Sequence, residues 1–134
     1  MLKYMLDTDS CSYLIRGGVP KLDAKIARKS SASLCMSVVT RAELIFGVER
    51  KGRPDKLTTL VGQLLQQIPS LPWGDDSANA YAQARSEMER AGKLIGNLDL
   101  LIAAHALATG LILVTNNERH FKQVPGLHME NWTQ

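Results

Sequence analysis

Four polar residues stand where an apolar segment ends or a helix is expected to begin: Asp7, Glu43, Asp99 and Asn117. Their side chains carry carboxylate or amide oxygens, which are the ligands that Mg²⁺ prefers. The four residues are far apart in the sequence, so only a fold that gathers them can make a site. Together they predict a divalent-metal site that acts on phosphate, and we interpret the chain as a metal-dependent nuclease.

Each position also has a local explanation that involves no catalysis. Asp7 can belong to a cluster of helix-capping residues at the start of a helix. The spacing Thr40-x-x-Glu43 matches a capping box, in which the glutamate only closes the helix end. Asp99 follows a candidate cap at Asn97, where the helix dipole favours any acid. Asn117 stands among turn-forming residues. The residues alone leave these explanations open, although four such coincidences in one pattern favour a site.

The elements that must position these residues alternate between short apolar segments and helical ones. Strands are predicted at 3–6, 34–39 and 111–114, with a weaker one near 127–129. Helices are predicted at 8–16, 20–29, from 40, from 54, at 75–91 and at 98–109. This order favours an α/β fold with a parallel sheet covered by helices on both faces. Ligands bind such sheets at the carboxyl ends of strands, so we expect Asp7 and Asn117 side by side.

Composition is consistent with a folded enzyme. The 134 residues favour one domain spanning 1–134, and 45% of them are hydrophobic. No apolar run approaches the roughly 20 residues of a membrane span, and the start lacks a signal-peptide pattern. A soluble cytoplasmic protein is therefore predicted. Cys11 and Cys35 lie in apolar surroundings and are expected to be buried free thiols.

The charged residues add one further feature. The formal net charge is +3, and Arg50, Lys51 and Arg53 form one of the basic clusters that could steer phosphates. His105 is expected to pack within a helix, and His120 and His128 are too scattered for a zinc signature, so we assign the histidines no ligand role.

Four motifs follow one another along the chain: MLDT at 5–8, ELIFG at 43–47, NLDLLIAAHAL at 97–107 and LVTNN at 113–117. In this order they resemble the PIN-domain ribonucleases and, within them, the VapC toxins of bacterial toxin–antitoxin pairs. The resemblance covers essentially the whole chain. It implies a PIN-like α/β/α sandwich around a mainly parallel sheet of about four to five short strands.

The resemblance also implies an activity and partners. The expected activity is that of an endoribonuclease dependent on Mg²⁺, for which Mn²⁺ can substitute, acting on a structured RNA such as initiator tRNA. The expected partners are a second copy of the chain and a VapB-type antitoxin. With RNA as the substrate, Arg50, Lys51 and Arg53 become candidate RNA contacts.

Carried over by position, the resemblance implies that Asp7 and Asp99 hold the metal, that Glu43 is the third acid, and that Asn117 is the fourth catalytic position. Two residues depart from the pattern. Asp9 stands where asparagine is common, and it adds negative charge near the site. Asn117 stands where aspartate is frequent, and an amide can orient a water but cannot act as a base.

Two other functions remain open on the residues. Asp7-Thr8-Asp9 superficially matches the nucleophile motif of haloacid dehalogenase-type phosphohydrolases. Against it, Cys11 stands where that motif usually has threonine or valine, and no candidate lysine precedes a late acidic pair. The second alternative is a PIN-like module that binds RNA or a partner without cutting, which the intact set of three acids disfavours.

Overall fold

The computed structural model describes all of residues 1–134 and contains one sheet of five strands. The strands are β1 Tyr4–Leu6, β2 Leu34–Ser37, β3 Ser70–Leu71, β4 Ile112–Val114 and β5 Met129–Glu130. Their order across the sheet is β3-β2-β1-β4-β5, and every neighbouring pair is parallel. The predicted α/β class with a parallel sheet is therefore confirmed.

Seven helices cover the sheet. They are α1 Thr8–Arg16, α2 Pro20–Arg28, α3 Val38–Arg50, α4 Asp55–Gln67, α5 Asp75–Arg90, α6 Asn97–Thr109 and α7 Glu118–Phe121, with one 3₁₀ turn at Ser31–Ser33. None of them has both the length and the apolar character needed to cross a bilayer. Helices α1 to α4 pack on one face of the sheet and α5 to α7 on the other, which is the expected α/β/α sandwich.

The strands read as continuous apolar runs because both of their faces are buried. Tyr4 and Leu6 belong to the core beneath α1 to α4, whereas Met5 points into the core beneath α5 to α7. This is the period-two alternation of a strand that lies between two helical layers. Cys11 and Cys35 fall on opposite faces and are buried free thiols, as predicted.

Strand β1 lies at the centre of the sheet and is the point where the strand order reverses. Leu6 pairs with Met36 of β2 on one side and with Val114 of β4 on the other. The chain builds β2 and β3 outward on one side, then returns to add β4 and β5 on the other. A crevice at the carboxyl ends of β1 and β4 is the usual ligand position in such sheets.

The second strand ends earlier than its sequence predicts. We expected strand to Val39, but Ser37 ends the strand and caps α3, with its Oγ accepting a hydrogen bond from the Val39 amide at 3.1 Å. Thr40 is buried inside α3 and does not cap it. Glu43 consequently lies in the second turn of α3, so the capping-box explanation of this glutamate is wrong.

The start of α6 also differs from the prediction. Asn97 is the first helical residue, preceded by Gly96, and no side chain caps this end. Asp99 remains in the first turn, where the helix dipole stabilises a carboxylate. The predicted cap at Asn97 is wrong, but the position of Asp99 relative to the helix end is unchanged.

Two short elements were not predicted. Strand β3 has two residues between Pro69 and Pro72, and it joins β2 through the Pro69 carbonyl, which accepts the Met36 amide at 2.9 Å. Prolines are tolerated here because β3 is an edge strand. Helix α7 has only four residues, too few to produce a periodic pattern.

A buried hydrogen bond joins the helices that carry two of the candidate acids. The Nδ1 of His105, on α6, lies 2.7 Å from the Oγ of Ser37, the cap of α3, and both residues are buried. Burial lowers the pKa of His105, so the imidazole is neutral at neutral pH. A bond of this kind contributes about 1 kcal/mol and holds α3 in register with α6.

Candidate active site at the carboxyl edge of the sheet

Asp7 directly follows β1 and caps α1. Its Oδ1 accepts a hydrogen bond from the Ser10 amide at 2.8 Å, and its own amide donates to the Val114 carbonyl of β4 at 3.0 Å. Ser10 Oγ donates to the same carbonyl at 3.1 Å. The local helix-capping explanation is therefore correct for Asp7, and the Ser10 amide occupies its Oδ1.

The environment of Asp7 disfavours its charge. The residue is 3% exposed, and burial raises the pKa of its carboxyl to about 6, with the negative charge of Asp9 adding to the rise. Hydrogen bonds from Thr115 and Ser10 act in the opposite direction on this pKa. An aspartate with a pKa this high gains from a cation that can neutralise it.

Glu43 projects from α3 and meets the first residue of α1. Thr8 Oγ1 donates to Glu43 Oε1 at 2.6 Å and also lies 3.1 Å from Thr40 Oγ1. Because a hydroxyl carries one proton, the Thr40 hydroxyl must be the donor in the second contact. Glu43 Oε1 is thus held in place while Oε2 has no protein partner.

The charges of two other acids act on Glu43. Partial burial raises the pKa of Glu43, and the negative charges of Asp99 and Asp9 raise it further, while the Thr8 hydrogen bond lowers it. The fold therefore brings carboxylates from β1–α1, α3 and α6 into one region of negative potential. It includes Asp9, which adds charge there as expected.

Asp99 has a partner that the sequence did not reveal. His120 Nε2 lies 3.0 Å from Asp99 Oδ2, with both side chains partly exposed. The two residues are 21 positions apart and lie on α6 and α7. The spacing of the histidines matches no metal motif, so the sequence indicates no role for them. A single histidine in a four-residue helix also carries no periodic signal.

Asn117 lies beside the site without bonding to the acids. Its backbone amide donates to Thr115 Oγ1 at 3.0 Å, but its exposed side chain has no hydrogen bond. The neighbouring Asn116 donates instead to the Tyr13 hydroxyl at 2.8 Å. The turn after β4 thus adjoins Asp7 through Thr115, and Asn117 contributes a free amide at its surface.

The acids do not form an enclosed metal cage. No group of three histidine, cysteine, aspartate or glutamate side chains lies close enough together to hold a metal ion directly. Magnesium is usually held by one or two carboxylates and keeps several waters. Burial is the main cause that raises the carboxyl pKa of Asp7 and of Glu43, with a smaller contribution from nearby acids, and a bound cation would offset this penalty on the charged form.

A basic cleft adjoins Glu43. Its lining includes Thr8 and Glu43 together with three cations, Arg16, Arg50 and Lys51, around a volume of about 300 Å³. Arg53 is absent from this lining and instead pairs with the exposed Glu49 at 2.9 Å. Two of the three predicted RNA contacts therefore face the site, and Arg16 joins them.

Comparison with known proteins agrees with this arrangement. Residues 4–127 match the family model of the PIN domain. The chain is 35% identical over 133 residues to the tRNA(fMet)-specific endonuclease VapC of Shigella flexneri, covering 99% of this chain and all of that protein. It is 36% identical over 132 residues to ribonuclease VapC2 of Haemophilus influenzae, covering 98% and 99% of the two chains.

A solved structure extends the similarity to the fold. The DNA-bound VapBC complex from Salmonella typhimurium contains a chain that matches with a TM-score of 0.93 at 33% identity, over 98% of this chain and 99% of that one. The protein therefore belongs to the PIN-domain family and, within it, to the VapC ribonucleases. The resemblance seen in the four motifs is confirmed, and the haloacid dehalogenase alternative is wrong.

The raised pKa of Asp7 predicts that metal-free Asp7→Asn is more stable than the wild type above pH 7. The Asp7 carboxyl binds a proton more tightly in the folded state than in the unfolded state. The stability that this proton provides is present at low pH and is lost as pH rises through about 6. The rise from 3.8 to about 6 corresponds to about 3 kcal/mol at most. Urea unfolding in EDTA at pH 4 to 8 would measure this.

Asp23→Asn is the matched control, because Asp23 is an exposed acid in the first turn of α2. It should give no stabilisation at any pH. A constant difference between Asp7→Asn and wild type across the whole pH range would show that burial does not penalise the Asp7 charge.

Proposed function

We propose that this ribonuclease depends on Mg²⁺ held by Asp7 and Asp99, and that it is the toxin of a VapBC-type pair. The observation that carries the proposal is the position of the acids at the carboxyl edge of β1, beside a basic cleft, where burial raises the carboxyl pKa of Asp7 and of Glu43. Acids alone would repel RNA, and cations alone would bind it without cutting. Their juxtaposition suits hydrolysis of a phosphodiester, with the chain 1–134 acting as one ribonuclease domain.

The bound cation would supply Lewis-acid stabilisation of the charge that develops on the phosphate. Asp7 is pre-oriented for this role by the Ser10 amide, and Asp99 by its place in the first turn of α6. Mn²⁺ accepts the same oxygen ligands and is expected to substitute. Both acids lie at helix N-termini, and a helix N-terminus also attracts the phosphate of the substrate.

Glu43 is the proposed general base. The Thr8 hydroxyl fixes Oε1, so Oε2 is the oxygen that can take a proton from the attacking water. Its pKa is raised above the ordinary value, towards the neutral range where a base is most effective. Asn117, whose side chain is free, can orient the water through its amide but cannot deprotonate it.

Initiator tRNA is the proposed substrate. The support is the specificity of the Shigella flexneri relative, a tRNA(fMet)-specific endonuclease that is 35% identical to this chain. The cleft is open on the surface, as a folded RNA requires, and its three cations can follow a phosphate backbone. An RNA substrate of this kind is found in the cytoplasm, where we expect the protein to act.

The proposed partners are a VapB-type antitoxin and a second copy of this chain. An apolar groove of about 720 Å³ lies on the other side of Glu43, between α3 and α6. Val38, Phe46 and Leu98 line it and are exposed, Phe46 by 61%. We assign this groove to the second copy, because a two-fold interface sets one patch against itself and the exposed apolar side chains of this patch would bury one another there.

Replacing either proposed metal ligand should abolish cleavage without unfolding the protein. We expect Asp7→Asn and Asp99→Asn to lower the cleavage rate about 100-fold or more, because each removes one charge that holds the cation. The measurement is the rate of cleavage of purified initiator tRNA, beside elongator tRNA, across a magnesium series and in EDTA.

Asp23→Asn is again the control and should cleave at the wild-type rate. Full activity of Asp99→Asn, or wild-type activity in EDTA, would refute the metal assignment. Wild-type protein that binds tRNA but never cuts it would favour the non-catalytic module, and equal cutting of both tRNAs would refute the proposed specificity.

Arg50→Gln with Lys51→Gln should weaken RNA binding in a salt-dependent manner. Affinity falls as salt rises, so the slope of log affinity against log salt is negative. Each lost phosphate contact makes this slope shallower, by about 0.7 for single-stranded RNA. Arg53→Gln should have a smaller effect, because Arg53 pairs with Glu49 away from the cleft. Affinities of inactive Asp99→Asn protein for tRNA at several salt concentrations would test the ranking, and an equal loss for Arg53 would contradict it.

Phe46→Glu should convert a dimer of the isolated protein to a monomer, since it buries charge in the apolar groove. Light scattering after gel filtration would report the mass. Leu94→Glu is the control, because Leu94 is 77% exposed and lies outside the groove. A monomeric wild type, or a Phe46→Glu dimer, would overturn the assignment of this groove to a second copy.

A further inference from the structure

We propose that His120 is a positioning residue for the cation site: its Nε2–H holds one oxygen of Asp99 and leaves the other available to the ion. The proposal rests on the proposed function, in which Asp99 is a metal ligand. It adds a residue that neither the motifs nor spacing indicated.

The contact itself defines the donor. Nε2 of His120 lies 3.0 Å from Asp99 Oδ2, and a carboxylate can only accept, so the proton resides on Nε2. The structure gives the Asp99 carboxylate no other hydrogen bond. Oδ2 is therefore occupied, and Oδ1 has no protein partner.

The histidine is held by its neighbours rather than free at the surface. Phe121, 1% exposed, anchors α7 in the core, and its ring packs edge-on against the imidazole with centroids 5.3 Å apart. The amides of His120 and Phe121 both donate to the Asn117 carbonyl at 3.1 Å. Gln123 Nε2 donates to the His120 carbonyl at 3.2 Å.

The same turn is tied to the other proposed ligand. Thr115 directly follows β4 and lowers the pKa of Asp7, while its Oγ1 accepts the Asn117 backbone amide at 3.0 Å. The segment from Thr115 to α7 therefore adjoins both proposed ligands: Thr115 lies next to Asp7, and His120 contacts Asp99.

The contact with an acid is made by His120 and not by Asn117, the residue at the fourth catalytic position. The resemblance assigned the fourth position to Asn117, whose side chain makes no hydrogen bond. His120, three residues later, makes the contact with an acid. A carboxylate fixed by an outer donor binds a metal with less loss of side-chain freedom, and removal of such a donor typically costs about 10- to 100-fold in metal affinity or activity.

The test compares His120→Leu, which removes the donor, with His120→Gln, which can present an N–H from a similar position. His128→Leu is the matched control, because His128 is exposed and its side chain has no hydrogen bond. Calorimetric titration with Mn²⁺, without RNA, measures the cation affinity. The magnesium concentration for half-maximal tRNA cleavage is measured beside it.

We expect His120→Leu to weaken Mn²⁺ binding about tenfold and to raise the magnesium midpoint by a similar factor, with cleavage recovering at saturating magnesium. His120→Gln should restore most of the affinity, and His128→Leu should match the wild type. A merely structural role would lower thermal stability without moving the midpoint, and Gln would not rescue it.

Unchanged Mn²⁺ affinity and midpoint in His120→Leu would overturn the proposal, as would tighter binding, which would mean that His120 competes with the cation. Asp99→Asn, measured in the same titration, separates this result from failure of the proposed function. If Asp99→Asn also binds Mn²⁺ normally, the metal assignment itself fails. If it loses binding while His120→Leu does not, only the positioning role fails.

Discussion

Concentration of negative charge at one edge of a parallel sheet is the constraint on which the rest of this protein depends. Asp7 is nearly fully buried, and its carboxyl pKa is raised to about 6. The pKa of Glu43 is raised by burial and by the charges of Asp99 and Asp9. Such an arrangement opposes folding of the metal-free protein and favours any state in which a cation is bound. A site that is unfavourable when empty is a common property of catalytic centres.

Hydrogen-bond donors limit this instability without removing the negative charge. The Ser10 amide supports Asp7, the Thr8 hydroxyl supports Glu43, and the His120 side chain supports Asp99. At Glu43 and Asp99 the donor occupies one oxygen and leaves the second, so orientation is fixed while coordinating capacity remains. The buried Ser37–His105 bond serves the same end at longer range, because it joins the helices that carry Glu43 and Asp99.

The surroundings of Glu43 combine two different surfaces. On one side lies the cleft with Arg16, Arg50 and Lys51, which suits a phosphate backbone. On the other lies the apolar groove that includes Phe46. Thr8, Glu43, Gly47 and Arg50 line both. An event in the apolar groove, such as docking of a second chain, would therefore adjoin the residues that we assign to catalysis.

The sequence by itself determined the α/β layers and the approximate positions of β1, β2 and β4, because local apolar runs and helix patterns reflect burial that each segment carries alone. It was enough to predict that Asp7 and the turn after β4 would be neighbours, and to assign the PIN-domain family. Only the tertiary structure decided that Ser37 rather than Thr40 caps α3, that Arg53 turns away from the cleft, and that His120 meets Asp99. These outcomes depend on side chains from distant segments competing for the same donors and the same space, and no local pattern records that competition.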